Sequence, residues 1–541
     1  MLPKLKSLTY WGYVFGLLIA IQPSYIHSDE HFQTIEILAQ KFGGIKGTIS
    51  WEFQGEYPAR SLVPLYLYYG PLYFVLFKVL NIQDPTIILS LVRLQHYLSY
   101  VVIYKWFLKQ FGVPKTVHYI EFLISTSYIT YTIQSHSFSN SIETLILLSV
   151  LVCYKNLLSL YPSNNNDINK DNVHRKKYLT NILVAFLIVI GIFNRMTFPA
   201  FILLPSLTLF SRYYIHQWKS FLLFSITGFI TFLCCIQLDT WSFNLNQSNI
   251  SYPYVLAPWN NLKYNLETSN LKLHGLHPRY THILVNMPQI LGPGLYLVYT
   301  EIKKHKFNQL NSCNLPLLSI ISALFILSIF PHQELRFLVP LTPLIFLAFN
   351  NVPCKRWVSI WLLYNIIMAM ILGCFHQSGV IKMMMYYQQN KERTTDFGVH
   401  VWWKTYMPPT WMYMNSNITV STTKLINGTI ETLDFDEIIS VNQNHVIDLK
   451  GCNLSLLNST INQLLIKNEN ITLIAPDSVR SKLFTLKSYY NITDNFHTYA
   501  HLDLDHFNFN DISSFTPGLA SYHISYIKER RKQERITESK L

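Results

Sequence analysis

Apolar runs long enough to cross a bilayer recur along the first 375 residues of this 541-residue chain. A spanning helix needs about 20 mostly apolar residues, because the lipid interior holds no water and every backbone amide must be bonded within the helix. Runs at 8–24, 87–108, 117–134, 140–160, 178–193, 196–212, 219–237, 283–301, 315–330, 336–350 and 357–374 meet this condition, giving about eleven spans. Charged residues are 13% of the chain, where a soluble domain carries roughly a quarter. Lys4 and Lys6 before the run Trp11–Ile21 resemble a signal peptide, but no small-residue cleavage site follows, so the run reads as a retained first helix.

The net charge of +13 does not point to nucleic acid, because Lys and Arg gather in short connections between apolar runs and at the C-terminus. With a cytosolic N-terminus, the cytosolic connections hold Lys105, Lys109 and Lys115; Arg175, Lys176 and Lys177; Arg212 and Lys219; Lys303, Lys304 and Lys306; and Lys355 with Arg356. That asymmetry obeys the positive-inside rule. Every Asn-x-Ser/Thr sequon then falls on the lumenal side: Asn246, Asn249, Asn417, Asn427, Asn453, Asn458, Asn470 and Asn491. The expected location is the endoplasmic reticulum membrane. The topology also leaves the basic tail Lys528–Arg535 lumenal, for which the sequence offers no physical reason. The terminal Ser539-Lys540-Leu541 resembles a peroxisomal address, read as coincidence on a sequon-bearing polytopic chain.

Residues 62–80 are apolar too, but a full span there would invert every later loop. They are expected to form a membrane-dipping helix pair interrupted at Gly70-Pro71, inside a first lumenal loop at 24–87. After Cys374 the composition turns polar, and 376–541 is expected to be a lumenal C-terminal domain following a transmembrane domain at 1–375. Stretches at Glu437–Val441, His445–Leu449 and Ile471–Ala475 read as strands of a small α/β fold at about 396–525. The cysteines form no metal or disulfide framework.

Ionisable groups at the mouths of spans are costly near lipid, so each is a functional candidate. The first cluster is His27-Ser28-Asp29-Glu30-His31-Phe32-Gln33-Thr34-Ile35-Glu36. Helical spacing would set Asp29, Gln33 and Glu36 on one face; a solvated helix with N-terminal acids is the alternative. The second cluster, with Asn140 and Glu143 in Ser135–Thr144, suits sugar hydroxyls or an N-cap at Ser139 or Asn140. The third, His274–His282, gathers His277, Arg279 and His282 in a patch suited to phosphate. The fourth, Pro331–Leu338, brings His332, Glu334 and Arg336 together. The lone charges Arg93, His96 and Glu121 read as buried ties between helices, and Asp503-Leu504-Asp505 as a chance loop pair.

These clusters, in this order, resemble the dolichyl-phosphate-mannose-dependent mannosyltransferases of the GT-C superfamily, glycosyltransferase family 22. The likeness is carried by Asp29-Glu30 with Gln33 and Glu36, Trp51-Glu52-Phe53 with Arg60-Ser61, Phe138–Thr144, and Asn194-Arg195-Met196-Thr197-Phe198-Pro199. The blocks His274–His282, Pro331–Glu334 and Lys404–Pro409 are similar to the branch that adds the fourth mannose in glycosylphosphatidylinositol (GPI) assembly. Two family prolines are absent, with Ser28 and Met196 in their places.

The resemblance implies a GT-C fold and inverting transfer of mannose from dolichyl phosphate mannose to the third mannose of a GPI precursor, making an α-1,2 bond. It implies Asp29 or Glu30 as the base, and Arg195, Arg279, His332 and Arg336 as candidates to hold the lipid phosphate. Gln33, Glu36, Asn140, Glu143, His277, His282 and Glu334 complete the expected substrate-binding set. The expected partners are membrane lipids and the two lipid substrates. No cofactor is expected, and the absence of Asp-x-Asp from the first loop argues against an obligatory divalent metal. Third-mannose transfer, or transfer to the lipid-linked oligosaccharide of N-glycosylation, are the nearest alternatives. A lipid transporter or scramblase would instead show internal repeats, and none is seen.

Overall fold

The structure is a computed structural model that describes all residues except 1, 161–169, 246–251, 274, 306–313, 350–353, 391–396, 427–429, 441–443, 505–508 and 528–541. His274, Asn246, Asn249, Asn427, Lys306, Asp505 and the basic tail with Ser539-Lys540-Leu541 lie outside the described residues. The chain separates into two compact units. One contains Met1–Ile21, Ile49–Leu72 and Leu91–Ala369; the other contains Gln22–Thr48, Tyr73–Ser90 and Met370–Leu541. The second unit is therefore discontinuous, and most of the first loop folds with the C-terminal residues.

Among the described residues, six helices are long and apolar enough to cross a membrane: Pro85–Phe111, Ser139–Leu160, Asn172–Asn194, Phe198–His216, Trp218–Asn244 and Lys355–Phe375. The other expected spans are helical but shorter, broken or less apolar. Leu2–Ala20 is a 19-residue helix, and Leu315–Ile329 and Leu335–Ala348 are short apolar helices. The run at 117–134 is interrupted between Val117–Ser125 and Tyr128–Tyr131. There the Tyr128 backbone N–H donates to Asn365 Oδ1 at 2.7 Å, supplying the bond that lipid would not. The run at 283–301 breaks at Gly292. Gly292 has φ +49°, and a Cβ there would stand 2.2 Å from the Tyr364 ring, so only glycine fits. The 62–80 segment forms the short helices Val63–Tyr68 and Gly70–Phe74 followed by a π turn at Val75–Val79, matching the expected interruption at Gly70.

Of the lone charges in the first unit, Glu121 and His96 tie separate segments together, as expected. Glu121 accepts from the Tyr13 hydroxyl at 2.7 Å and lies 3.5 Å from Lys105 Nζ. The Tyr69 hydroxyl meets His96 Nδ1 at 3.0 Å, and Arg93 is buried.

The second unit is built on a six-stranded sheet. Its strands are β1 (Val399–Trp402), β2 (Thr419–Thr422), β5 (His445–Asp448), β6 (Ile471–Pro476), β7 (Tyr490–Thr498) and β8 (Leu519–Tyr526). A separate ribbon pairs β3 (Lys424–Ile426) with β4 (Ile430–Thr432). The order is β2-β5-β1-β6-β8-β7; the first four strands are parallel, and β8 is antiparallel to both β6 and β7. β1, β5 and β6 are buried at every position, as parallel strands covered on both faces are. Helix Leu454–Lys467 joins β5 to β6 and packs Leu457, Ile461 and Leu464 onto Val401, Ile447 and Leu473. Asn453 caps that helix, its side chain accepting from Leu456 N at 2.9 Å.

One expected strand is corrected: Phe435–Ser440 is a helix, so Glu437–Ser440 is not extended. A five-residue stretch with three apolar residues does not distinguish strand from helix by itself; here Ile438 N bonds back to Asp434 O and the Ile438 side chain is buried.

Candidate functional site

In the second unit, the chain leaves Gln22 and turns into helix at Ser28, whose carbonyl accepts from His31 N and Phe32 N. A π turn at His31–Ile35 precedes the α-helix Glu36–Gly43. That turn changes the expected geometry. Gln33 Nε2 donates to Asp29 Oδ2 at 2.6 Å, so these two do share a face. A π turn inserts roughly one residue into the helical count, and Glu36 rotates away from them. Its buried carboxylate accepts from Thr48 N at 3.2 Å, Trp411 N at 3.1 Å and Thr410 Oγ1 at 3.3 Å. Glu36 thus fastens residues 48 and 410–411 to the first loop, and the expected three-residue face is corrected to two. Burial pushes the Glu36 carboxyl up to about 8, against hydrogen bonds from Trp411, Thr410 and Thr48 that favour the charged form.

The adjacent acids have different surroundings. The Asp29 side chain keeps 19% of its exposure and sits 3.4 Å from His27 Nδ1. Glu30 is fully buried, 4.0 Å from His31 Nε2. His31 Nδ1 accepts from Trp411 Nε1 at 3.2 Å, which puts the ring proton on Nε2, the nitrogen nearest Glu30. The His31 ring also stacks on Trp411 and meets the edge of Tyr25. Of the two carboxylates, Asp29 is the one open to a substrate.

In the first unit, three arginines each have a glutamate. Arg60 Nε meets Glu52 Oε1 at 2.9 Å, Arg195 Nε meets Glu143 Oε2 at 3.3 Å, and Arg336 Nε meets Glu334 Oε2. The asparagine-serine block and the arginine turn, far apart in sequence, come together here. Arg195 Nη1 donates to Ser139 Oγ at 3.0 Å and Asn140 Oδ1 at 3.3 Å, while Thr197 Oγ1 donates to Glu143 Oε1 at 3.0 Å. The Arg195 guanidinium also lies 5.0 Å over the Phe337 ring, which places residues 139–143, 195–197 and 334–337 together. Burial pushes Arg195 down to about 10; Glu143 opposes this, and the charges of Arg60 and Arg336 add to it. Arg195 remains a cation at neutral pH.

The third and fourth sequence clusters form one clasp. His277 N donates to Pro331 O at 2.7 Å, and Gln333 N donates to His277 Nδ1 at 3.3 Å. His332 Nε2 lies 2.8 Å from Glu334 Oε1, and its Nδ1 lies 3.1 Å from Gly275 O. Both partners only accept, so both ring nitrogens carry protons and His332 is an imidazolium. Burial lowers the His332 pKa, but the Glu334 hydrogen bond and charge outweigh it, and the net shift is upward. His332 and Glu334 are therefore cross-braces of the clasp. His282 Nδ1 accepts from Asn286 Nδ2 at 3.0 Å, leaving a buried Nε2–H with no hydrogen-bond partner among the described residues. Burial, with His277 and His332 nearby, pushes His282 down to about 4, so it is neutral. Arg279 is exposed, and its side chain has no ion-pair partner among the described residues.

Gln333, Arg60, Thr197, Thr410 and Trp411 are engaged positions outside the candidate set drawn from the sequence, although Arg60, Thr197 and Gln333 lie within its motifs. The only sequence signal for Gln333 was its place between His332 and Glu334. Asp503 accepts from Gln377 Nε2 at 3.3 Å and Ser478 Oγ at 3.4 Å, so it braces the second unit. Among the described residues, no group of three or more His, Cys, Asp or Glu is placed to hold a metal ion.

The profile of the Alg9-like mannosyltransferase family matches residues 8–415. A Saccharomyces cerevisiae protein named GPI mannosyltransferase 4 is 44% identical, covering 96% of this chain and 98% of its own. Proteins of the same name from Eremothecium gossypii and Candida albicans are 40% and 37% identical; the alignments cover 96% and 94% of this chain and 100% and 97% of theirs. Among solved structures, ArnT from Cupriavidus metallidurans, bound to undecaprenyl phosphate, is similar with a TM-score of 0.52. The match has 8% identity and covers 96% of this chain and 98% of that one. The architecture is that of a multi-pass membrane glycosyltransferase with the GT-C fold. The chain belongs to the Alg9-like mannosyltransferase family, and the relatives most of its length matches carry the name GPI mannosyltransferase 4.

Proposed function

We propose that the protein adds the fourth mannose to the GPI precursor, by α-1,2 transfer from dolichyl phosphate mannose to the third mannose, on the lumenal side of the endoplasmic reticulum membrane. The observation that carries this reading is the near full-length similarity to proteins named for that step. A β-linked donor that yields an α-linked product inverts in one displacement. Such a reaction needs a base for the acceptor hydroxyl proton and stabilisation of the departing phosphate.

Asp29 is the base in this reading, because it is accessible and oriented by Gln33, whereas Glu30 is buried beside His31. Arg195 and Arg336 carry charge into the region of residues 139–143 and 334–337, and Arg279 is an uncommitted cation. These arginines hold the lipid phosphate, with Asn140 and Glu143 setting the position of Arg195. No divalent metal is required, and undiminished transfer in EDTA is the expected result. The sequons at Asn417, Asn453, Asn470 and Asn491 are exposed, as lumenal glycosylation needs; Asn458 is half-buried and bonded to the Tyr490 hydroxyl.

The test is complementation of cells lacking the fourth-mannose transferase, with accumulated GPI lipids sorted by mannose count. Conversion of three-mannose to four-mannose lipids supports the reading. A chain that expresses and localises normally but leaves three-mannose lipids in place would redirect the search to lipid-linked oligosaccharides.

A further inference from the structure

Gln333 is 2% exposed, and its side-chain amide bonds only to backbone groups. Its Oε1 accepts from His282 N at 2.8 Å, and its Nε2 faces Phe330 O at 3.0 Å, Ser328 O at 3.2 Å and Arg279 O at 3.3 Å. One neutral amide thus fixes both ends of the segment 279–282 against the turn 328–333. The two side chains at those ends are the uncommitted ones. Arg279 is an exposed cation without an ion-pair partner among the described residues, and His282 holds a buried Nε2–H with no acceptor. A buried donor left unbonded is costly, and an incoming oxygen relieves that cost. A cation with planar paired donors and a neutral imidazole N–H, three residues apart, suit an oxygen-rich anion.

We infer that Gln333 is a positioning residue for the donor phosphate: it holds Arg279 and the Nε2–H of His282 so that both bind the phosphate of a polyprenyl phosphate. The inference rests on the donor assigned under the proposed function, although its measurement does not depend on the acceptor. Arg279 and His282 would touch the phosphate; Gln333 acts only through them. The amide is suited to this because it offers both an acceptor and donors without a charge that would compete with the ligand. Gln333→Glu keeps the acceptor for His282 N but points a carboxylate at three carbonyl oxygens.

The test uses the purified full chain in detergent, with dolichyl phosphate as ligand and unphosphorylated dolichol as control. In the unaltered protein, dolichyl phosphate should protect Arg279 from phenylglyoxal at least fivefold, read by mass spectrometry, and dolichol should not. Gln333→Ala and Gln333→Glu should each weaken dolichyl phosphate binding about tenfold or more. Arg279→Ala should add less than its separate effect when combined with either, because Gln333 works through Arg279. Variants that elute as the parent does and bind dolichyl phosphate with unchanged affinity would overturn the inference, as would equal labelling of Arg279 with and without the lipid. The protection arm needs no variant, so misfolding of the substitutions still leaves the premise that Arg279 meets the phosphate open to refutation, and without that contact the inference falls. Failure of the fourth-mannose reading would show separately, as binding of dolichyl phosphate without conversion of three-mannose lipids.

Discussion

Gln33 and Asp29 lie one helical turn apart and are joined by a 2.6 Å hydrogen bond from the amide to Oδ2. That bond leaves Asp29 Oδ1 toward His27, at the partly exposed edge of the loop. A positioned general base contributes roughly 100- to 10,000-fold, so Asp29→Asn should lower transfer at least ~100-fold with normal expression. Gln33→Leu removes one hydrogen bond to a charged group, worth about 1.5–3 kcal/mol, and should cost roughly 10- to 100-fold. Glu30→Gln should stay within about tenfold of the parent. Transfer rates in microsomes from cells lacking the endogenous enzyme decide the matter; the reverse ranking of Asp29→Asn and Glu30→Gln would make Glu30 the base.

The Arg195–Glu143 pair predicts an asymmetry in stability. Glu143 is fully buried and Arg195 nearly so, and removing one partner of such a pair typically costs about 3–5 kcal/mol because the other charge is stranded. Arg195→Met should therefore destabilise the purified protein by that order. The double variant Arg195→Met with Glu143→Gln should recover part of the loss, although transfer stays absent. Thermal midpoints in detergent measure it, and equal midpoints for single and double variants would show that the pair is not coupled.

Glu36 makes stability depend on pH. Its carboxyl is raised from 4.5 to about 8 in the folded protein, so the folded state holds that proton more tightly than the unfolded state. Its contribution is full below about 4.5, declines as pH climbs, and is lost once pH passes about 8. Glu36→Gln keeps an acceptor for Trp411 N and Thr48 N and cannot ionise, so its midpoint should decline less between pH 5 and 8. Glu36→Ala should lower the midpoint at every pH, because Thr48 N and Trp411 N lose their acceptor. A parent profile as flat as that of Glu36→Gln would sink the argument.

What could be seen in the sequence follows from which constraint was local. Lipid imposes a length on every span, so the helical segments at 140–160, 178–193 and 219–237 were visible as runs of apolar residues. The interruptions were harder to see. The break at Thr126–Ser127 depends on Asn365, more than 200 residues away in sequence. The π turn at His31–Ile35 was not visible, because the pull on Glu36 comes from Thr410 and Trp411. Helical arithmetic assumed an unbroken α-helix and grouped Glu36 with Asp29. The asparagine-serine block and the arginine turn were each readable as motifs, while their meeting through Arg195 and Ser139 was a tertiary fact. Attention to ionisable residues also favoured His332 as a phosphate ligand, when its two nitrogens are directed at Glu334 and Gly275.

His332 gives the second pH-dependent element, in the other unit. Its pKa is raised above the usual value of 6.5, with the Glu334 hydrogen bond and charge outweighing the effect of burial. A cation with a raised folded pKa stabilises fully below its unfolded value, near 6.5, and loses that contribution as pH rises through the folded value. Glu36 acts in the same direction, so the parent profile alone does not separate them. His332→Gln can donate to Glu334 or Gly275 but carries no charge; it should lower the midpoint at pH 6 and converge on the parent above the raised pKa. Combined with Glu36→Gln it should decline less with pH than either single variant. The clasp holds Arg279 and His282, so the affinity of the parent for dolichyl phosphate should also fall as pH rises through the same window, while that of His332→Gln stays low throughout. Midpoints and dolichyl phosphate affinities measured together from pH 5.5 to 9 test both statements. A His332→Gln variant that follows the parent curve at every pH would show that the imidazolium does not brace the clasp.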